Sequence, residues 1–161
     1  MNKAVMISTQ PKWCKLIANG KKTIEVRKTK PKLETPFKCY IYETLGKLGK
    51  EVCWRVWEYD GKGKVIGEFV CDDIDELHEY ELIPQGKSYL YEKARLDLFF
   101  EQSCMSYGQL SEYRKSLPYY RPLYGWHISN LVIYDEPKEL SEFGLTRPFQ
   151  SWGYVEEVNN D

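Results

Sequence analysis

The stretch Gly20-Lys21-Lys22-Thr23-Ile24-Glu25-Val26-Arg27 stands between an amphipathic helix pattern and a long basic loop. From Thr23 onward it alternates. Successive strand side chains point to opposite faces, so Ile24 and Val26 are expected to anchor a strand in a core. Thr23, Glu25 and Arg27 then face one shared space, and Lys22 enters where the strand begins. One short element thus delivers several charged groups to a common polar pocket. The plainer alternative is an exposed Glu25–Arg27 pair on a solvated strand face, and such pairs contribute little.

Working outward, Ala4 to Ser8 reads as a first apolar strand, and Pro11 to Asn19 as a helix. Ser8 or Thr9 can cap that helix and Pro11 suits its first turn. Trp13, Leu16 and Ile17 share one of its faces, and Asn19-Gly20 stops it, because glycine tolerates the left-handed conformation. Lys28 to Pro36 is a loop, and Phe37 to Glu43 alternates as a strand. Thr44 to Lys64 reads as an insertion-like hairpin, rich in Trp and basic residues and closed by Asp60-Gly61. Aromatics interleaved with cations can bind single-stranded nucleic acid, or can simply pack the hairpin onto the body.

Val65 to Cys71 is a strong strand pattern. Asp72, Asp73, Asp75 and Glu76 follow. They are either a metal site or the acidic opening of a short helix, and the helix dipole favours the second. Tyr89 to Ser103 is helical, with Leu96, Phe99 and Phe100 on one side. Ser106 or Ser111 can cap a further helix that Pro118 ends. Leu123 to Tyr134 is the last long strand, followed by a helical turn over Lys138 to Phe143 and a final strand over Gly153 to Val158. Strands with short intervening helices and no βαβ regularity predict an α+β domain built on a small barrel.

The chain has 161 residues and reads as a single domain over 1–161, long enough to bury a core. No apolar run reaches membrane length and the N-terminus has no signal-peptide layout, so a cytoplasmic protein without membrane contact is expected. The 5 Cys are irregularly spaced and form no metal-ligand pattern with the 2 His; they are expected to be reduced, mostly buried thiols, with no metal and no cofactor. Residues 1–64 carry 15 Lys and Arg against 6 Asp and Glu, a net +9, whereas the remainder is net −10. Either a basic face meets phosphate, or the two halves neutralise each other in space.

The spacing Gly-x-Lys-x-x-Glu-x-Arg, met by Gly20, Lys22, Glu25 and Arg27, resembles the signature of the ASCH domain family of the PUA-like superfamily. The blocks Tyr124-Gly125-Trp126-His127-Ile128, Pro137-Lys138-Glu139-Leu140 and Gln150-Ser151-Trp152 resemble the version found in bacterial and bacteriophage chains. The resemblance implies a PUA-like mixed β-barrel with flanking short helices and a cleft beside the motif strand. It also implies RNA or a modified nucleoside as partner, and a role in RNA metabolism. One branch of that family deacetylates N4-acetylcytidine as an amidohydrolase. There the motif Lys, the residue three positions on and a downstream Glu carry the site.

Carried over by position, Lys22 is the motif Lys. Glu25 stands where that branch is expected to have Thr. The downstream acid has Glu101 as a candidate, although Ser103 aligns equally well. If the protein is an enzyme, Lys22 and Glu25 are the expected catalytic pair. As a binding site, Lys21, Lys22, Thr23, Glu25 and Arg27 are expected to contact a ligand, with Tyr124, Trp126 and Trp152 stacking on a base or packing in the core. His127, on a strand amid apolar residues, is expected to be structural. Three functions remain: an RNA- or nucleoside-binding domain, the amidohydrolase, and a protein-interaction module.

Overall fold

The computed structural model describes residues 2–46, 50–53, 56–58, 61–78 and 89–159. The chain begins with strand β1 (Lys3–Thr9), helix α1 (Pro11–Ala18), strand β2 (Ile24–Arg27) and strand β3 (Phe37–Glu43). A two-stranded hairpin, β4 (Lys50–Cys53) with β5 (Val56–Glu58), precedes the long strand β6 (Lys64–Leu77). Helices α2 (Tyr89–Ser103) and α3 (Tyr107–Arg114) follow. Strand β7 (Leu123–Lys138), a 3-10 turn over Leu140–Phe143 and strand β8 (Trp152–Glu156) complete the chain.

Six strands form one mixed sheet in the order β2-β7-β6-β3-β1-β8, with β1 and β3 parallel and the other pairs antiparallel. The α+β class is as expected, but the barrel is not closed. Strand β2 spans four residues and hydrogen-bonds only to β7, and no ladder joins it to β8 at the other edge. The sheet nevertheless curls until side chains cross the gap. Arg27 of β2 reaches the Ser8 carbonyl at 2.9 Å and the Ser151 carbonyl at 3.1 Å. The Trp152 indole donates to Thr29 Oγ1 at 2.9 Å, and the amide of Lys32 donates to the Tyr154 hydroxyl at 2.9 Å. Side chains therefore make the seam that backbone pairing makes in a closed barrel.

Three apolar clusters hold the sheet. One packs Val5, Ile7, Ile17, Phe37, Ile41, Phe69 and Trp126 inside the curl. A second places Leu96 and Phe99 of α2 and Leu110 of α3 against Ile24 and Val26 of β2. The third packs Met6, Tyr40 and Val155 beneath the 3-10 turn, with Phe143 edge-on to Tyr40. Gly125 makes the close approach of α2 possible: a Cβ there would stand 2.8 Å from Phe99 Cε2 and 3.0 Å from Ile24 Cγ2.

Three local expectations change. Asp72, Asp73, Asp75 and Glu76 do not open a helix; β6 runs straight through them, because its pairing with β7 continues to Leu77↔Leu123. One extra residue of β6 is absorbed between the pairs Cys71↔Ile128 and Ile74↔Trp126, a bulge that keeps the ladder going. Helix α1 has Gln10 at its N-cap and no side-chain cap; Ser8 and Thr9 are still in β1 and their polar groups serve elsewhere. The 44–64 hairpin exists, but β5 ends before Asp60-Gly61, so that dipeptide is not its turn. Trp54, Tyr59 and the side chain of Trp57 lie outside the described residues. Ser106 does cap α3, in a reciprocal box with Gln109.

The charge asymmetry is partly cancelled in space. Lys38 pairs with Glu68 at 3.8 Å, Lys64 with Glu139 at 3.0 Å and Lys30 with Glu76 at 4.0 Å, each joining the basic half to the acidic half. Of the thiols, Cys14, Cys39 and Cys71 are buried and free.

Candidate functional site

Gly20 takes φ +81°, the left-handed turn that aims the chain out of α1. The amide of Lys22 then bonds back to the Leu16 carbonyl, and Thr23 is fixed on both sides. Its amide donates to the Gln102 carbonyl at the end of α2, and its carbonyl accepts from Ile128 of β7. β2 is thereby held in register, with Glu25 opposite Trp126 and Arg27 opposite Tyr124. Directly opposed residues of an antiparallel pair share a face. Glu25, Arg27, Trp126 and Tyr124 therefore share the inner face of the curl, while Ile24 and Val26 pack beneath α2.

This face is not solvated. Lys22 is 1% exposed, Glu25 5% and Arg27 8%. The Lys22 ammonium donates to the Ser103 carbonyl and sits 4.7 Å from the centre of the Trp13 ring. Burial lowers its pKa from the ordinary lysine value, against the opposing pull of Glu25. Arg27 is the most connected group. Besides the Ser8 and Ser151 carbonyls it donates to Thr9 Oγ1 at 3.2 Å and Ser151 Oγ at 3.2 Å, and its Nε lies 3.5 Å from Glu25 Oε1. The second carboxylate oxygen of Glu25 is buried with no protein partner, and so is the Trp126 indole nitrogen on the strand opposite. Buried polar atoms in folded proteins are nearly always satisfied, so an orphan acceptor and an orphan donor on paired residues are notable.

A second carboxylate, Glu43, is also buried here and was not singled out from the sequence. It ends β3 opposite Thr9, and its Oε1 accepts from the Lys62 amide at 2.9 Å. Both Glu43 and Glu25 act on Cys14, whose thiol is pushed well above its ordinary value by burial first and by these carboxylates next. No local pattern marks Glu43; only the parallel pairing of β1 with β3 brings it in.

The other expected residues divide. Lys21 is exposed, away from the buried cluster, and Thr23 is half-buried on the same face as Glu25. Trp126 is fully buried, edge-on to Phe37 at 6.0 Å and to Trp152 at 5.8 Å, so it is a wall of the site rather than an open stacking surface. Trp152 and Tyr124 are half-buried at the margin, and Lys30 stands over the Tyr124 ring. Glu101 is exposed on α2; the neighbouring residue that reaches Lys22 is Ser103.

His127 pairs with Asp75 at 2.8 Å and faces away from the Glu25 cluster, since it opposes Ile24. The bulge in β6 brings Asp73 near as well, so that ligand atoms of Asp73, Asp75 and His127 lie within 4.8 Å of one another. Of the acids weighed as a metal site in the sequence, these two gather around His127, whereas Glu76 lies 3.4 Å from the ring of His78.

The sequence model of the ASCH domain family matches residues 7–141. Among curated proteins, none matches this chain. Among solved structures, the crystal structure of ASCH from Zymomonas mobilis superposes with a TM-score of 0.65 at 17% identity, covering 96% of this chain and 88% of that one. A Tyr-to-Phe mutant of the same Zymomonas mobilis protein gives a TM-score of 0.65 at 17% identity over 97% and 92%. At such identity these likenesses speak for the fold. Among the described residues, no helix is long and apolar enough to cross a membrane.

Proposed function

The chain belongs to the ASCH domain family, and on that premise we propose that it binds RNA or a modified nucleoside in the cleft built on Lys22, Glu25 and Arg27. One observation carries the reading: the orphan Glu25 Oε2 and Trp126 Nε1 on opposed residues, held by a network that satisfies the groups around them. A ligand that completes the site must donate to a carboxylate and accept from an indole. A base edge with an amino group beside a ring nitrogen or carbonyl offers both, and carboxylates accept from the amino group of cytosine in this way. Lys22 and Arg27 add positive charge in a low-dielectric setting. Tyr124 and Trp152 at the margin supply ring surface for stacking.

The test is a titration of purified protein with single-stranded RNA and with free cytidine at several salt concentrations. Saturable binding of either ligand that Glu25→Gln weakens at least tenfold supports the reading. Phosphate contacts in the RNA case appear as an affinity that falls with salt. Equal binding by wild type and Glu25→Gln contradicts it.

A second reading is favoured by the lowered Lys22 pKa beside a buried carboxylate: hydrolysis of the acetyl amide of N4-acetylcytidine. In it Glu25 takes the proton of the attacking water, Lys22 and Arg27 stabilise the oxyanion, and Glu25 returns the proton to N4 as the C–N bond breaks, releasing acetate and cytidine. Glu43 replaces Glu101 as the second acid, because Glu43 is in the site and Glu101 is on the surface. Chromatography of N4-acetylcytidine incubated with wild type and with Lys22→Ala decides it: cytidine formed only by the wild type establishes turnover, and no product rejects it.

A further inference from the structure

The turn Pro118-Tyr119-Tyr120-Arg121, between α3 and β7, takes no part in the Glu25 cluster. Tyr119 is 70% exposed and Tyr120 75%, the highest values for large apolar side chains among the described residues. Their backbone is fixed from below. Arg114 is 4% exposed, and its Nη2 donates to the carbonyls of Pro118 at 3.3 Å, Tyr119 at 3.4 Å and Arg121 at 2.7 Å. The amide of Arg121 closes the turn on the Pro118 carbonyl at 3.0 Å. Burying a guanidinium is costly, and its hydrogen bonds offset that cost. The bonds of Arg114 Nη2 all go to a surface turn that holds two aromatic rings out in water.

Cations flank the rings. Arg121 is exposed next to Tyr120 in the chain. Lys28, immediately after β2, donates to Ser116 Oγ at 2.8 Å and stands 4.7 Å from the Tyr113 ring centre. Among the described residues neither Lys28 nor Arg121 is in a salt bridge, whereas Lys115 pairs with Glu112 and Lys30 with Glu76. Tyr124, which opposes Arg27, follows Tyr120 by four residues, at most about 14 Å of extended chain. The turn is thus a short step from the cluster.

We infer that Tyr119 and Tyr120, flanked by Arg121 and Lys28, are a stacking platform for single-stranded nucleic acid. The strand continues outward from the base held at Glu25. This rests on the proposed nucleoside cleft and extends it from one base to a chain. Exposed rings on a hydrogen-bonded turn, beside cations that no carboxylate among the described residues neutralises, suit sequence-tolerant stacking, since every base has a π-face and every linkage a negative charge. An apolar protein partner would not call on the cations.

The test uses the full chain and fluorescence anisotropy with a short labelled oligonucleotide of mixed sequence, as RNA and as DNA. Free cytidine is measured in parallel. Tyr119→Ala/Tyr120→Ala is expected to lose roughly tenfold or more in oligonucleotide affinity while keeping its affinity for cytidine. Tyr119→Phe/Tyr120→Phe, which keeps the rings, is expected to bind as the wild type does. Arg121→Gln is expected to reduce the salt dependence by roughly one phosphate contact. The same loss on RNA and DNA supports stacking on any single strand; loss on RNA alone supports the platform with sugar recognition added. Wild-type oligonucleotide affinity in the double Ala variant overturns the platform and leaves the cleft standing, with a protein partner as the remaining occupant of the rings. Loss in the double Ala variant with no effect of Glu25→Gln keeps the platform and overturns the cleft. A wild type that binds no oligonucleotide overturns the platform outright.

Discussion

Replacing Arg27 with Met removes a buried guanidinium that bonds to Ser8, Thr9 and Ser151 and neighbours Glu25. Met keeps much of the aliphatic volume, so the cavity term is small. What remains is electrostatic. The two backbone carbonyls across the seam lose their charged donor, each such bond being worth about 1.5–3 kcal/mol. Glu25 becomes a buried carboxylate with no cation beside it, and breaking a buried pair from one side costs about 3–5 kcal/mol. These terms overlap, so the expected loss is about 3–5 kcal/mol, a shift of roughly 2 M in urea midpoint for a domain of this size. Adding Glu25→Gln discharges the stranded carboxylate. The double variant is therefore expected to recover about 1–2 kcal/mol of the loss, although Gln alone gains nothing comparable. Urea unfolding followed by Trp fluorescence measures all four proteins of the cycle. A loss below about 1 kcal/mol for Arg27→Met is what an exposed pair gives and would refute the buried network. So would a double variant less stable than Arg27→Met alone.

Three further outcomes follow from the same geometry. Gly125→Ala places a methyl group against Phe99 and Ile24, so it is expected to destabilise by about 1–3 kcal/mol and to speed amide exchange in α2; unchanged exchange there contradicts the packing of α2 on β2. Burial pushes the Cys71 thiol up to about 12 from 9.0, so the folded state keeps a proton that the unfolded chain releases. That contribution is fully present below pH 9 and is lost as pH rises toward 12; Cys71→Ala is expected to lose stability less steeply than wild type between pH 8 and 10 in urea titrations. Lys22 has the opposite sign, because its folded pKa lies below the ordinary 10.5 and the unfolded chain binds more protons in that window. Wild-type stability relative to Lys22→Met is expected to rise as pH climbs toward 10.5, and a flat difference would mean that the ammonium is not desolvated.

Much of this was readable from local pattern. The alternation of Thr23 to Arg27 assigns two residues to the core and leaves three on one face, and the pairing of β2 with β7 realises that division. Gly20 at the end of α1 and Ser106 at the start of α3 do what their chemistry suggests. What local pattern does not carry is long-range pairing. The acids after Cys71 look like a helix start because a dipole argument uses one element only, while an uninterrupted ladder with β7 holds them extended. Ser8, Thr9 and Ser151 meet Arg27 because the sheet curls back on itself, and Glu43 enters through the parallel pairing of β1 with β3; of these four, only Ser151 lies in a stretch the sequence singles out. Strands with short intervening helices and no βαβ regularity point to a small barrel, as does the family resemblance, but neither says what closes it. The shortness of β2 leaves that task to the Arg27 side chain, a substitution visible only in three dimensions.

Everything proposed for this site turns on whether the Glu25–Trp126 face takes a base. The measurement that meets it most directly is a ¹H–¹⁵N spectrum of the indole region during titration with cytidine, N4-acetylcytidine and single-stranded RNA. The Trp126 signal is assigned by its loss in Trp126→Phe. At least one of these ligands is expected to move the Trp126 Nε1–H signal saturably in the wild type and to fail to move it in Glu25→Gln. A Trp126 signal that stays in place while the ligand demonstrably binds puts the ligand elsewhere on the protein and contradicts base binding at this face.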